Sequence, residues 1–306
     1  MEFDEAEVIR VLAEIFATSH SGVIVGIGDD GAVVQTGNTS VITTDMAVEG
    51  THFNTAWSGA FDIGRKITAA NLADVYAMGG TPSYLVVAVT LTGDENLDWI
   101  SDLAHGIIHE AKSCGAIVVG GDLTRGAIKV IAITAVGKVE KAITRSGAKA
   151  GDSIYLSSLP GWSAAGLAMM VNESCDDLEA YAVEQFCAPT VDYSAAAALA
   201  DAGATSMCDI SDALVIQAQQ VAAASQVCFS FDPHSFTSHP EFVALNELAN
   251  KHGIDVWQWI FAGGEDHVFL ATGTDLPALC VGKVVAGTGV TGLEMKKAPV
   301  TWRHFN

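Results

Sequence analysis

Hydrophobic and polar positions along this chain switch repeatedly between a helical period and short apolar runs. Over 4–18, Val8, Ile9, Val11, Leu12, Ile15 and Phe16 recur at helical spacing and predict an amphipathic helix. Apolar runs over 23–27, 32–35 and 40–44 predict short strands, and Asp45 directly follows the last of them. A helix is expected over 62–78, closed by Gly79-Gly80 and Thr81-Pro82. A strand over 84–91, a helix over 95–113, a strand over 117–119, a glycine-acid turn over 120–126 and a strand over 128–137 complete a first unit. After turn-like composition over 144–152, a second unit begins with a strand at 154–156. Helices are expected there over 162–171, 191–201, 209–225 and 240–252, with strands over 227–231 and 268–271 and two short strands near the end. This order predicts α/β and α+β architecture in two domains, 1–138 and 139–306.

Charge narrows the partners. Fifteen basic residues against 36 acidic give a formal net charge of -21. Nucleic acid is excluded as a partner, because a phosphate backbone needs a basic surface. No run of eighteen apolar residues predicts a membrane span, and the acidic start, Met1-Glu2-Phe3-Asp4-Glu5, is unlike a secretory or transit leader. The six cysteines are scattered without a C-x-x-C pair, which predicts buried thiols in a reducing compartment, the cytoplasm.

Several carboxylates stand in unusual places. Asp29 and Asp30 are adjacent in the glycine-rich stretch Gly26-Ile27-Gly28-Asp29-Asp30-Gly31. At an effective dielectric of about 20, two such charges about 4 Å apart cost on the order of 4 kcal/mol. A fold keeps the pair either in solvent or around a cation. The glycines also match the dinucleotide pattern G-x-G-x-x-G, but they lead into an expected strand rather than a helix, so that reading fails. Asp74 lies in an otherwise apolar helix, three residues after Asn71 and on its face. Asp122 follows Gly120-Gly121, and Asp209 and Asp212 are three apart at an expected helix start. Taken singly, these are a solvated stripe, a turn residue and helix caps. Taken together with Asp30 and Asp45, they are hard oxygen donors suited to Mg²⁺ rather than zinc. Arg125 and Arg145 lie in Gly/Ser/Thr-rich turns, where a guanidinium forks onto phosphate oxygens.

The segments GIGDDGAVV (26–34), TTDMAVEGTHF (43–53), NLADVYAMGG (71–80), GGDLTRG (120–126), TRSGAKAGD (144–152), DISDAL (209–214) and GGEDH (263–267) follow one another along nearly the whole chain. In that order they resemble thiamine-monophosphate kinase, of the aminoimidazole-ribonucleotide-synthetase superfamily. The resemblance implies a two-domain fold: an N-terminal ATP- and Mg-binding sheet domain that dimerises, and a C-terminal α+β domain, with the site in the cleft between them. It implies direct transfer of the γ-phosphoryl group of ATP to thiamine monophosphate, without a phosphoenzyme. Asp30, Thr43, Thr44, Asp45, Asp74, Asp122, Asp209 and Asp212 correspond to positions for several Mg²⁺ ions, the threonines through backbone carbonyls. Gly121, Asp122, Arg145 and Ser211 correspond to nucleotide contacts, and His52, Glu265 and Trp302 to substrate contacts. Asp30, Asp45, Asp122 and Arg145 carry the catalytic charge stabilisation. The chain departs from the family pattern at His267, where tyrosine is common, at Ala213, where glycine is usual, and over 187–192, which lacks two arginines. Two other readings stay open: a sister ATP-dependent enzyme acting on a different small acceptor, and a non-catalytic nucleotide- or metal-binding descendant.

Overall fold

The computed structural model describes residues 23–25, 32–36, 38–170 and 176–293. The expected helix over 4–18, the stretch with Asp29 and Asp30, and the tail with Trp302 lie outside the described residues.

Among the described residues, two six-stranded sheets organise the chain. The first contains β1 (Val23–Val25), β2 (Ala32–Thr36), β3 (Asn38–Val48), β4 (Thr81–Leu91), β5 (Ile117–Arg125) and β6 (Val130–Lys138), in the order β1-β2-β3-β6-β4-β5. Its neighbours are antiparallel except β4 and β5, which are parallel. Parallel neighbours need a long crossover, and helix α2 (Leu97–Ser113) supplies it. Helix α1 (Ala60–Ala77) joins β3 to β4. Thr81-Pro82 does not merely close that helix, since it opens β4.

The second sheet contains β7 (Ser153–Leu156), β8 (Ser206–Asp209), β9 (Cys228–Phe231), β10 (Phe269–Gly273), β11 (Leu279–Val285) and β12 (Gly289–Thr291), in the order β12-β9-β11-β7-β10-β8. Around it lie α3 (Trp162–Met169), α4 (Asp177–Cys187), α5 (Tyr193–Asp201), α6 (Leu214–Ser225), α7 (Pro233–Thr237), α8 (Pro240–Lys251) and α9 (Val256–Ala262). The sequence pattern did not anticipate α4, α7 or α9.

Helix α1 is buried on nearly every side, from Ile63 and Lys66 to Leu72, Val75 and Tyr76. A helix of that kind sits between layers rather than on a surface. Its residues share one apolar core with β3 and β6, and also with Tyr193 and Leu199 of α5 and Met207 and Phe269 of the second sheet. The opposite face of the second sheet forms another core, where Phe229, Leu270 and Val281 meet α3, α6, α8 and α9. Each fully buried side chain of this size contributes about 1.5–3 kcal/mol. The central helix thus fixes one sheet against the other.

Two expectations are corrected. Gly120, Gly121 and Asp122 form part of β5, because its pairing with β4 runs on to Arg125. Asp209 ends strand β8 through its pairing with Phe269, and the following helix begins only at Leu214. Neither Asp209 nor Asp212 is the N-cap of that helix; Ala213 is.

Candidate active site

Alternation along β3 decides what meets α1. Val41, Thr43 and Ala47 are buried and Thr44 and Met46 are exposed, so Thr43 and Asp45 face the helix. The Thr43 hydroxyl donates to Asp74 Oδ2 at 2.5 Å. The Asp45 N–H donates to Asn71 Oδ1 at 3.1 Å, and Asn71 donates in turn to the Ile67 carbonyl at 3.0 Å. One turn of α1 therefore holds both the carboxylate of Asp74 and the backbone of Asp45.

The second half of the chain brings Asp209 to the same place. Burial pushes the Asp45 carboxyl up to about 6, and the nearby Asp209 charge adds to this against the pull of His267. Asp209 is 2% exposed, and its Oδ2 lies 2.8 Å from His267 Nδ1. Burial alone pushes the imidazole down, but the hydrogen bond and charge of Asp209, followed by Glu265 and Asp45, more than reverse this, so its pKa stands above the ordinary value. His267 is thus hydrogen-bonded to Asp209 among carboxylates that favour its protonated form.

The loop 263–267 is fitted tightly to 210–212. The Glu265 N–H donates to the Ser211 carbonyl at 2.7 Å, and the His267 N–H donates to that of Ile210 at 3.0 Å. A Cβ at Gly264 would lie 2.3 Å from the carbonyl oxygens of Ser211 and Asp212, so only glycine permits this approach. Asp266 accepts from the Gly161 and Ser163 N–H groups, both at 2.9 Å, at the start of α3. Burial still raises its carboxyl to about 6. Its role is to anchor the loop by capping a helix. Buried Gln217 accepts from the Ala213 N–H at 2.9 Å and reaches Ser211 Oγ at 3.3 Å and Asp212 Oδ2 at 3.4 Å.

Other expected site residues stand further out. His52 lies in the turn after β3, where its Nδ1 accepts from the Val48 N–H at 3.1 Å, which places the ring proton on Nε2 when the imidazole is neutral. Arg145 begins a short 3-10 turn packed on β8 and α6, and its carbonyl accepts from Ser225 Oγ at 2.7 Å. The Thr44 side chain points to the outer face, bonded to the Ile133 carbonyl and Thr134.

Asp122 does not join the Asp45 cluster within one chain. The cross-strand row through Asp45 runs Ile133, Val87, Gly121, whereas the row through exposed Met46 runs Ala132, Ala88, Asp122. Asp122 therefore lies on the outer face, three strand spacings away, or about 14 Å. A Cβ at Gly121 would lie 2.0 Å from the Val87 carbonyl oxygen, so strand packing already explains that glycine. Lys66 and Gln217 were not anticipated; the one available signal was a polar side chain on an otherwise buried helix.

Asp45, set beside Asp74 by Thr43 and α1, and Asp209 and Glu265 from the second half form one neighbourhood of hard oxygen donors. Residues 28–139 match the family model described as AIR synthase related protein, N-terminal domain, which spans most of the first sheet with its helices. The chain is 35% identical over 280 residues to a thiamine-monophosphate kinase of Corynebacterium glutamicum, covering 89% of this chain and 82% of that one. It is 36% identical over 275 residues to the enzyme of the same name from Mycobacterium tuberculosis, covering 88% and 79%. A solved structure of AaThiL complexed with AMPPCP and TMP superposes with a TM-score of 0.89 at 27% identity, over 99% of this chain and 98% of that one. The chain belongs to the thiamine-monophosphate kinase family.

Proposed function

We propose that the protein transfers the γ-phosphoryl group of ATP to thiamine monophosphate, giving thiamine diphosphate and ADP. The observation that carries this reading is that Asp45, set beside Asp74 by Thr43 and α1, meets Asp209 and Glu265 from the other half of the chain, in a member of this family. A terminal phosphate oxygen of the acceptor forms the new bond to the γ-phosphorus. The bond from that phosphorus to the β-bridging oxygen breaks, and its electron pair leaves with ADP. Little covalent work falls to the protein, so catalysis is positioning and charge stabilisation.

Among the described residues no group of three His, Cys, Asp or Glu is already arranged to hold a metal ion, so the Mg²⁺ reading rests on the hard-oxygen chemistry of the donors. Asp45 is held above the ordinary carboxyl range by burial and by Asp209, a strain that a bound cation relieves. Asp45, Asp74, Asp209 and Asp212 would hold several such ions, with Asp30 and the backbone of Thr43 and Thr44. Bound there, Mg²⁺ supplies the positive charge that lets two phosphate groups approach. The chain's own residues prepare the place. Asn71 fixes the backbone of Asp45, His267 orients Asp209, and Gln217 steadies Ser211 and Asp212. Arg145 and Ser211 receive the nucleotide, and His52, Glu265 and Trp302 receive the acceptor.

The division at 138/139 separates the two functional halves, and the molecule works as a homodimer in the cytoplasm. Among the described residues no helix is long and apolar enough to cross a membrane. Strand β5 is exposed along its whole length, with Ile117, Val119 and Leu123 each more than half exposed, beside the outward Met46, Tyr84 and Val86. A second copy covering this surface would bring Gly121 and Asp122 of the partner subunit towards the cleft, which accounts for their distance from Asp45 within one chain.

The test measures thiamine diphosphate and ADP together, with ATP, Mg²⁺ and thiamine monophosphate, thiamine or no acceptor. Equal amounts of the two products with the monophosphate alone are expected, abolished by EDTA. Asp45→Asn is expected to lower activity by at least about a hundredfold, since even outer-shell partners of a metal are worth about 10–100-fold. ADP release without thiamine diphosphate would overturn the assignment and point to another acceptor.

A further inference from the structure

Lys66 lies in the middle of α1 and is only 8% exposed. A buried ammonium is costly unless it is paired and hydrogen-bonded. Lys66 Nζ meets three groups: Glu265 Oε2 at 3.0 Å, the Phe186 carbonyl at 2.9 Å, and the face of the Phe186 ring at 4.4 Å. The helix of the first half thus supplies the charge, and two segments of the second half receive it. Glu265 itself remains 38% exposed on its side chain. It also sits at φ 62, held there by its N–H bond to the Ser211 carbonyl.

We propose that Lys66 is a positioning residue for acceptor recognition: it pins one oxygen of Glu265 and so presents the other to the acceptor. This rests on the reading of Glu265 as an acceptor contact. A glutamate side chain has three rotatable bonds, and fixing one carboxylate oxygen removes most of that freedom before the ligand arrives. The ion pair holds Oε2, which leaves Oε1 to face the exposed side. Thiamine monophosphate carries an amino group and a permanently cationic ring, both complementary to a carboxylate oxygen. The Ser211 bond ties the same loop to the nucleotide side, so the acceptor contact is set in register with the phosphates. The Phe186 ring and carbonyl hold the ammonium in place at a site from which water is largely excluded.

The experiment is steady-state kinetics on the full-length enzyme with Lys66→Met, Lys66→Arg, Glu265→Ala and the Lys66→Met/Glu265→Ala double variant. Each substrate is varied at saturating concentration of the other, and melting temperatures are recorded. Lys66→Met and Glu265→Ala are each expected to raise the acceptor KM about tenfold or more while the ATP KM stays within about twofold, where tenfold corresponds to about 1.4 kcal/mol. The double variant is expected to be no worse than the poorer single, and Lys66→Arg to restore most of the loss. If Glu265→Ala raises the acceptor KM but Lys66→Met does not, the positioning role is overturned. Parallel rises in both KM values with a lowered melting temperature would make Lys66 a strap between the two halves and overturn it equally. If Glu265→Ala leaves the acceptor KM unchanged, the assignment of Glu265 fails and the proposal falls with it. Should Lys66→Met not fold, Lys66→Gln, which keeps a donor for the Phe186 carbonyl without the charge, carries the same comparison.

Discussion

The two sheets have equal strand numbers and opposite treatment of their faces. In the second, β7, β8 and β10 are buried at every position, because one face packs towards α1 and α5 and the other on α3, α6, α8 and α9. In the first, among the described residues, helices α1 and α2 close one face. The other carries Met46 at 61%, Tyr84 at 47% and Val86 at 41% exposure, beside an uncovered edge strand. An unpaired edge next to an apolar surface is a liability that natural sheets cover. The contrast supports the proposal that a second copy covers the first sheet, whereas the second sheet completes a core by itself.

The largest expected effect breaks that contrast directly. Val86→Asp places a charge in the outward face, and its counterpart Val243→Asp places one on α8. Val243 is the more exposed of the two, at 64% against 41%. If exposure alone mattered, Val243→Asp would do no less than Val86→Asp. We expect instead that Val86→Asp shifts the protein to monomer in sedimentation experiments, weakening association at least about a hundredfold, and that Val243→Asp changes nothing. Activity should fall with the dimer, since Asp122 is distant from Asp45 within one chain. A fully active monomer would show that Asp122 has no part in the reaction.

The next effect sharpens a second contrast between the halves. The first half fixes the backbone of Asp45 with a neutral amide, Asn71, whereas the second holds the Asp209 carboxylate with an imidazole, His267. His267→Leu leaves Asp209 buried without that partner. It is expected to lower activity and Mg²⁺ affinity by about 10–100-fold, the range for groups that orient metal-binding side chains. His267→Tyr restores a hydroxyl donor and should lose less. Equal losses in the two variants, measured by ADP release across a Mg²⁺ titration, would show that the imidazole charge rather than its hydrogen bond matters.

Much of this arrangement was legible in the residues, and the failures are physical. The helical period over 62–78 and 95–113 is local information, and both helices formed within two residues of the expected limits. The outward or inward direction of Thr43, Thr44 and Asp45 follows from strand alternation once β3 exists. By contrast, Ser206-Met207-Cys208-Asp209 becomes a strand only because Phe269 to Thr272 pair with it from far along the chain. The same is true of Gly120-Gly121-Asp122, whose glycines read as a turn until β4 claims them. Helix α4 carries its own capping box, Asp176 with Glu179, a signal that was present and passed over. Lys66 showed only as a polar side chain on an apolar helix, because its partners lie 120 and 199 residues away.

The smallest effect compares two lysines, each clamped between carboxylates. In the second half Lys251 lies 2.7 Å from Asp176 and 2.8 Å from Glu179. In the first, Lys129 lies 3.0 Å from Glu49 and 3.4 Å from Glu95. Burial pushes Glu95 up, but the Thr92 hydroxyl and the backbone N–H groups of residues 92, 93 and 95 outweigh it and bring the carboxyl down to about 2. A carboxyl held below its unfolded value of 4.5 adds stability that is fully present above that pH and lost as pH falls from about 4.5 towards 2. Because the loop lies near solvent, screening keeps the contribution below about 1 kcal/mol. Glu95→Gln should therefore lower the urea midpoint modestly at pH 6, and the gap between variant and wild type should close as the pH approaches 2. A gap that stays constant across that window would assign the loop's order to its hydrogen bonds alone, without the charge.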